Sequence, residues 1–310
     1  MLRIAATSAG VRRPTRPYRD RRRLVAWAVA LPLLLGLLLF AVYPFVYLLA
    51  LAASQSNLGT PFRAWVGWKN VASAVGDAKF SAALARSVAY ALITTTAALL
   101  LGVGVALLLD RAVRARALLR TLMLLPLLTP PVTVGIIWQL LLMPKGGWVN
   151  GALLDLGLTA QPMSFLGSPS WAFPLLALAD VWQWTPFVAL MTYAALQVLP
   201  EEVFDAARID GAGGAAIFRH VTLPMLAPAL AAIALLKLVI GFKVFDLVFV
   251  LTAGGPGQAT TVASFHIYRV AIQQFDIGLA AAQTLLFAIV VGLATLPFTM
   301  AHDRLERRLS

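Results

Sequence analysis

The sequence predicts an all-α polytopic membrane protein with six transmembrane helices, and three observations carry that prediction. Hydrophobic residues make up 60% of the 310-residue chain and charged residues 12%, about half of the roughly 25% usual in soluble domains. Apolar runs recur at lengths that cross a hydrocarbon core about 30 Å thick, which takes about 20 helical residues. Lys and Arg are spread very unevenly among the segments between those runs, the asymmetry that orients membrane helices. The formal charge of +12 therefore reads as loop charge rather than a nucleic-acid surface. Without cysteine the chain has no disulfide or thiolate chemistry, and its redox compartment stays unread.

Residues 24–53 form the first run, behind the basic stretch "RPYRDRRR". A secretory signal has an apolar core of only about 7–15 residues, so this longer run reads as a retained span. The second span is expected at 87–109 and the third at 118–143. Pro126, Pro130 and Pro131 remove backbone donors from the third, so it should kink or break where neighbours shield the freed carbonyls. The fourth span, 171–199, carries Pro174 and Pro186; the fifth is placed at 225–253 and the sixth at 279–301.

Charge then orients the layout. Eight arginines lie in residues 1–23, four in 111–120, two in 201–220 and three in the tail, against five Lys and Arg in the alternate loops. Both termini should face the cytoplasm. The expected organisation is a basic arm (1–23), a first span with an extracytoplasmic loop (24–80), a core (81–301) carrying a cytoplasmic loop at 200–224, and a tail (302–310). The arm reads as a polybasic segment beside anionic lipid. Trp65, Trp68, Trp148 and Trp171 read as anchors at the membrane interface rather than ligand platforms.

The segment "EEVFDAARIDGAGGAAIFRHVTLP", residues 201–224, is the polar interruption between spans four and five. Pro200 ends one helix, and Glu201 and Glu202 open the next, where the positive end of the helix dipole favours acids. Val203, Phe204, Ala207 and Ile209 give an apolar face; Asp205 and Arg208 pair on the polar one. Gly211 breaks the helix, "GAGGAA" allows close approach by another backbone, and a second short helix should run through Phe218 to Leu223 and Pro224. An ordinary interhelical loop has the same physical features.

This segment resembles the signature loop of binding-protein-dependent ABC importer permeases, a pattern of Glu-Ala-Ala, three residues, Gly, nine residues, then Ile-x-Leu-Pro. Here it reads Asp205-Ala206-Ala207, Gly211 and Val221-Thr222-Leu223-Pro224, with Asp205 for Glu and Val221 for Ile. The resemblance implies a type I ABC importer permease fold and a coupling helix that docks on a cytoplasmic ATPase, with Glu201, Glu202, Asp205, Ala206, Ala207, Asp210, Gly211, Leu223 and Pro224 as coupling residues. "LTAGGP" at 251–256 with Thr260, "FDIGLAAAQ", "DVWQWTPF" and "WVGWKNV" resemble carbohydrate permeases of the maltose and glycerol-phosphate type. The implied partners are a second, dissimilar permease, two ATPase subunits, an extracytoplasmic substrate-binding protein and the lipid bilayer. Nucleic acid is not among them. The implied location is a prokaryotic inner (plasma) membrane. No G-x-x-x-x-G-K-[ST] phosphate loop occurs, so ATP and Mg are expected on the ATPase partner and no cofactor on this chain.

Ionisable residues inside spans usually face a cavity or a partner. Asp180, Lys237, Lys243 and Asp246 are the candidates. Lys243 and Asp246 lie three apart and either neutralise each other on one helical face or serve a pore; Lys237 should point elsewhere, toward a partner permease. Asp180, Gln183, Trp184, Phe187 and Met191 fall on one stripe of span four. They offer aromatic faces and polar groups suited to sugar hydroxyls, with Trp138 and Gln139 in support. Catalytic motifs and metal-ligand spacings are absent: His220, His266 and His302 lie far apart in sequence. The expected function is translocation of a sugar or polyol, not catalysis; an ion-coupled secondary transporter and a glycerol-phosphate cargo are the alternatives.

Overall fold

The computed structural model describes residues 17–111 and 116–309; residues 1–16 of the basic arm, Arg114 and Ser310 lie outside them. Five of the described helices are long and apolar enough to cross a membrane, and a bent pair brings the number to six if it is one span. The chain divides after Ala50 into two compact units.

In the first unit, α1 (Pro17–Leu37) passes through a π-helical turn (Leu38–Val42) into α2 (Tyr43–Ala52). Its apolar part, Ala26–Ala52, has a mean hydropathy of 2.4. Leu33 and Phe40 are among the large side chains left exposed on it, as suits a helix solvated by lipid.

The second unit opens with a small antiparallel hairpin, β1 (Ser54–Gln55) and β2 (Ala64–Trp65), followed by α3 (Lys69–Gly76) and the 34-residue α4 (Ala78–Arg111). Next come α5 (Arg116–Leu128), α6 (Pro131–Leu141), α7 (Trp148–Asp155) and the long α8 (Pro169–Leu196). Beyond the polar loop lie α9 (Glu201–Ile209), α10 (Gly214–Ile217) and α11 (Leu223–Phe242), then α12 (Asp246–Leu251), α13 (Ala263–Tyr268) and α14 (Ile277–Leu309). α4 packs along both α8 and α11, and α11 packs along α14. Small residues permit this closeness, as is general for helices in lipid. A Cβ on Gly102 of α4 would lie 2.5 Å from Val188 of α8.

Two expected spans are broken. The third is the pair α5 and α6, bent by 95°. Pro130 and Pro131 supply no N–H, and each ring disfavours a helical residue before it. The fifth ends as α11 at Phe242, and the chain turns through Lys243–Phe245 before α12. An aromatic cluster of Phe245, Phe249, Phe265 and Tyr268 fixes that turn, and Ser264 Oγ donates to the Val244 carbonyl.

The "LTAGGP" segment is a closed loop. Thr252 and Thr260 hydroxyls lie 2.7 Å apart, Thr260 Oγ1 donates to Gly255 O (2.8 Å) and Thr261 Oγ1 to Gly254 O (3.0 Å). α4 clamps its far end, where Arg86 Nε donates to Thr261 O (2.7 Å) and Ala263 N donates to Ser87 Oγ (2.7 Å). Trp65, Trp68, Trp148 and Trp171 are all exposed.

At the N-terminal end of α4, three elements meet on His266. Its Nε2 lies 3.3 Å from Asp77 Oδ2, Gln283 Nε2 lies 3.4 Å from the same oxygen, and the Phe80 ring covers the imidazole at 5.8 Å. Burial pushes His266 below its ordinary value; Asp77 opposes this, and Arg269 and Arg86 add to it. The unfolded imidazole titrates near about pH 6.5. The unfolded state therefore binds more protons just below that pH, and stability present above it is lost on acidification. The unfolding midpoint of the purified protein should fall as pH drops below about 6.5, and His266→Gln should flatten that part of the profile. Equal slopes in the two proteins would contradict this account.

Candidate functional site

Two regions concentrate the polar residues of the second unit. The first is the loop after α8. Pro200 precedes α9, and Glu201 and Glu202 occupy its first turn. Arg208 Nη1 pairs with Asp205 Oδ1 at 2.6 Å, both side chains 65% exposed, so this pair contributes only about 0–1 kcal/mol. Ala206 and Asp210 are exposed and Ala207 is half-buried. Val203 and Ile209 are also exposed, Ile209 to 86%.

Gly211 ends α9 at φ +79°. Ala212 N donates to Ala207 O and Gly211 N to Arg208 O, each at 3.0 Å, the two bonds of a Schellman cap. No atom lies within 4 Å of where a Gly211 Cβ would sit. Within this chain glycine is therefore needed for its backbone angle, not for the close approach expected from "GAGGAA".

The second arm of the loop is not the separate short helix that the sequence suggested. α10 continues through a π turn, Phe218–Thr222, into α11, with Leu223 and Pro224 at the start of α11. Leu223 N reaches back five residues to Phe218 O, so the wider turn absorbs Pro224, which has no N–H to give. Behind α9 lies a recess of about 690 Å³, lined in part by Asp110, Arg111, Glu201, Phe204, Arg208 and Phe218. Gln197 Nε2 donates to Asp110 Oδ1 across its wall at 2.8 Å.

The second region is a cavity of about 220 Å³ lined by Asp180, Gln183 and Trp184 of α8, Pro131 of α6, and Ile240 with residues 243–247 after α11. Asp180, Gln183, Trp184, Lys243 and Asp246 thus come together. Phe187 instead packs with Ala98, Val188 and Ile233. Trp138 stands edge-on to Trp182 at 6.3 Å, and Gln139 is exposed.

Three expectations change here. Lys237 does not point to a partner: it is fully buried, and its Nζ lies 2.7 Å from Asp180 Oδ1 of its own chain. Lys237 sits on the buried face of α11, toward α8 and α4, which brings it to Asp180 and to Thr94 Oγ1 at 3.4 Å. Lys243 and Asp246 do not share one continuous helical face, because α11 stops between them; the ion pairs among the described residues do not join them. Gln183 is tied down as well, its Nε2 donating to Thr129 O (2.9 Å) at the α5–α6 break. Tyr90 and Thr94 were not singled out from sequence. Ser87, Tyr90 and Thr94, spaced three and four apart in an apolar run, were the available signal. Among the described residues no cluster of His, Asp and Glu has metal-site geometry.

A bundle of apolar helices, with a charged cavity and a polar hairpin at the end of the helices that line it, defines a membrane transport subunit. Residues 98–310 match the family model of the binding-protein-dependent transport system inner membrane component. The chain belongs to that family: it is a multi-pass inner-membrane permease of binding-protein-dependent transport. It is 31% identical to the trehalose/maltose transport system permease protein MalF of Thermococcus litoralis, over 94% of this chain and 95% of that one. It is 30% identical to the sulfoquinovosyl glycerol transport system permease protein SmoG of Agrobacterium fabrum, over 92% and 91%. The fold matches a chain of a bacterial alginate ABC transporter, crystallised with an alginate pentasaccharide-bound periplasmic protein, at a TM-score of 0.81 and 22% identity, covering 94% of this chain and 98% of that one.

The Gly211 cap yields a direct expectation. A side chain held in the left-handed region costs about 1–2 kcal/mol, while asparagine tolerates it better. Gly211→Val should speed limited proteolysis at 205–215 in the purified protein, and Gly211→Asn should stay near wild type. Unchanged protection in the valine variant would show that the cap does not hold the loop.

Proposed function

We propose that this chain is the membrane-spanning subunit of an ATP-driven importer for a sugar or polyol, working with a second, dissimilar permease, two ATPase subunits and an extracytoplasmic binding protein. ATP and its Mg belong to the ATPase, since this sequence carries no phosphate loop. Family membership sets aside the ion-coupled alternative.

One observation carries the coupling role. The helix from Gly214 to Phe242 is continuous apart from its π turn, and its far end borders the cavity. The other arm of the hairpin leads from α8, which supplies Asp180, Gln183 and Trp184 to the same cavity. A displacement of α9 by a docked ATPase therefore reaches the cavity through α8 and α11, and the exposed Val203 and Ile209 offer apolar contact to such a partner. The cargo reading rests on the relatives, named for trehalose, maltose and sulfoquinovosyl glycerol transport. The cavity wall adds Trp184 and hydrogen-bonding groups, and its two acids, Asp180 and Asp246, are offset by Lys243 beside them and Lys237 behind the wall, which favours a neutral, hydroxyl-rich ligand over a glycerol phosphate.

The orientation follows from charge: both termini and the 201–220 loop lie in the cytoplasm. With no native cysteine, Ile209→Cys gives a single labelling site. A membrane-impermeant maleimide should label it in inverted vesicles and not in intact spheroplasts. Deleting residues 203–210 should leave the protein in the membrane but abolish ATP-driven uptake and co-purification with the ATPase. Labelling from the outer face, or undiminished uptake by the deletion, would reject the coupling role.

A further inference from the structure

Lys237 lies behind the wall of the cavity rather than on it. It is fully buried, as is Thr94, and Asp180 is 3% exposed. A buried ion pair contributes little net stability, because desolvation cancels much of the attraction, and apolar residues of similar volume often do as well or better. The position of this pair suggests another use. Asp180 lies between the cavity and the protein core: it lines the cavity and accepts from Lys237 on Oδ1. The Tyr90 hydroxyl lies beside Asp180 and has no other hydrogen-bond partner. An ionised carboxylate offers about four lone-pair sites, so acceptor capacity remains beyond Lys237 and Tyr90.

We propose that Lys237 is a positioning residue for cargo: it holds Asp180 as an ionised, oriented acceptor for a hydroxyl of an uncharged polyhydroxylated ligand in the cavity. The proposal rests on the sugar or polyol reading above. The other charged groups at the cavity, Lys243 and Asp246, are opposite in sign, and Lys237 behind the wall offsets Asp180, so the four groups together carry no net charge. Thr94 on α4 supplies the second acceptor for the ammonium, which fixes Nζ between three helices and leaves Asp180 little rotational freedom.

The test uses the complete importer reconstituted with its partner subunits. Lys237→Met keeps the length of the side chain and removes the charge. An isolated buried carboxylate neutralises itself by taking a proton, so infrared spectroscopy should show a protonated-carboxyl band in Lys237→Met that is absent from wild type and from Asp180→Asn/Lys237→Met. Uptake is read with radiolabelled maltose, trehalose and sorbitol. For whichever probe wild type carries, KM should rise about tenfold or more in Lys237→Met and in the double variant, with the maximal rate changed by less than about threefold. Lys237→Arg should recover most of the affinity. A double variant that assembles and keeps the wild-type KM would make the pair a packing element and overturn the proposal. So would a Lys237→Met protein without the carboxyl band. If Lys237→Met does not assemble, the KM of the double variant decides. If wild type carries none of the probes, the cargo reading fails, while the infrared band still decides whether Lys237 holds Asp180 charged.

Discussion

The contact between Lys237 and Asp180, 2.7 Å long and almost wholly buried, is the constraint around which the second unit is arranged. Charges in a hydrocarbon interior must meet a partner or a wet cavity. Here each satisfies the other, and the requirement pins α11 to α8 at a fixed height, with α4 behind both through Thr94. The three helices that pack most extensively in this unit are the same three. Their register leaves little freedom to slide, since a one-residue shift would separate the charges.

The irregular backbone is concentrated beside that pair. Pro131, at the α5–α6 break, and residues 243–247, at the α11–α12 turn, both line the cavity. Freed carbonyls there are not left bare: Gln183 donates to Thr129 O and Ser264 to Val244 O. Non-helical backbone at membrane depth is tolerated where protein or a cavity satisfies it. The breaks and the cavity therefore belong together. Ending α11 at Phe242 and turning the chain sharply opens a space that two continuous helices would have filled with side chains.

The sequence disclosed the parts that depend on one-dimensional patterns. Apolar length located the long helices, the prolines marked the third span as breakable, and Gly211 marked the end of α9. Three-dimensional partners were harder to read. Lys237 and Asp180 are 57 residues apart, and nothing in their spacing joins them; the six residues from Lys243 turn Lys237 to another face of α11, but spacing alone does not say that this face meets Asp180 rather than a second permease. The end of α11 carries no proline or glycine signal of its own at Lys243–Phe245. It is imposed by the aromatic cluster with Phe265 and Tyr268, residues some 20 positions further on. The π turn at Phe218–Thr222 was equally hidden, since Pro224 read as a start of membrane helix rather than as a defect spread over the preceding turn.

The smallness of the polar hairpin has a physical explanation of its own. A helix of nine residues is too short to be stable alone in water. α9 holds its shape because acids sit at its start, the Schellman cap closes its end, and Phe204 turns into the recess behind it. What remains outward is a narrow face of alanines, an ion pair that costs little to rearrange, and Ile209 almost bare to water. A peg already folded before it meets its socket surrenders little entropy on docking. On the proposed reading, force applied to it is then transmitted along α11 and α8 rather than absorbed by the loop. That is the property a subunit without its own phosphate loop requires of the one element through which it is driven.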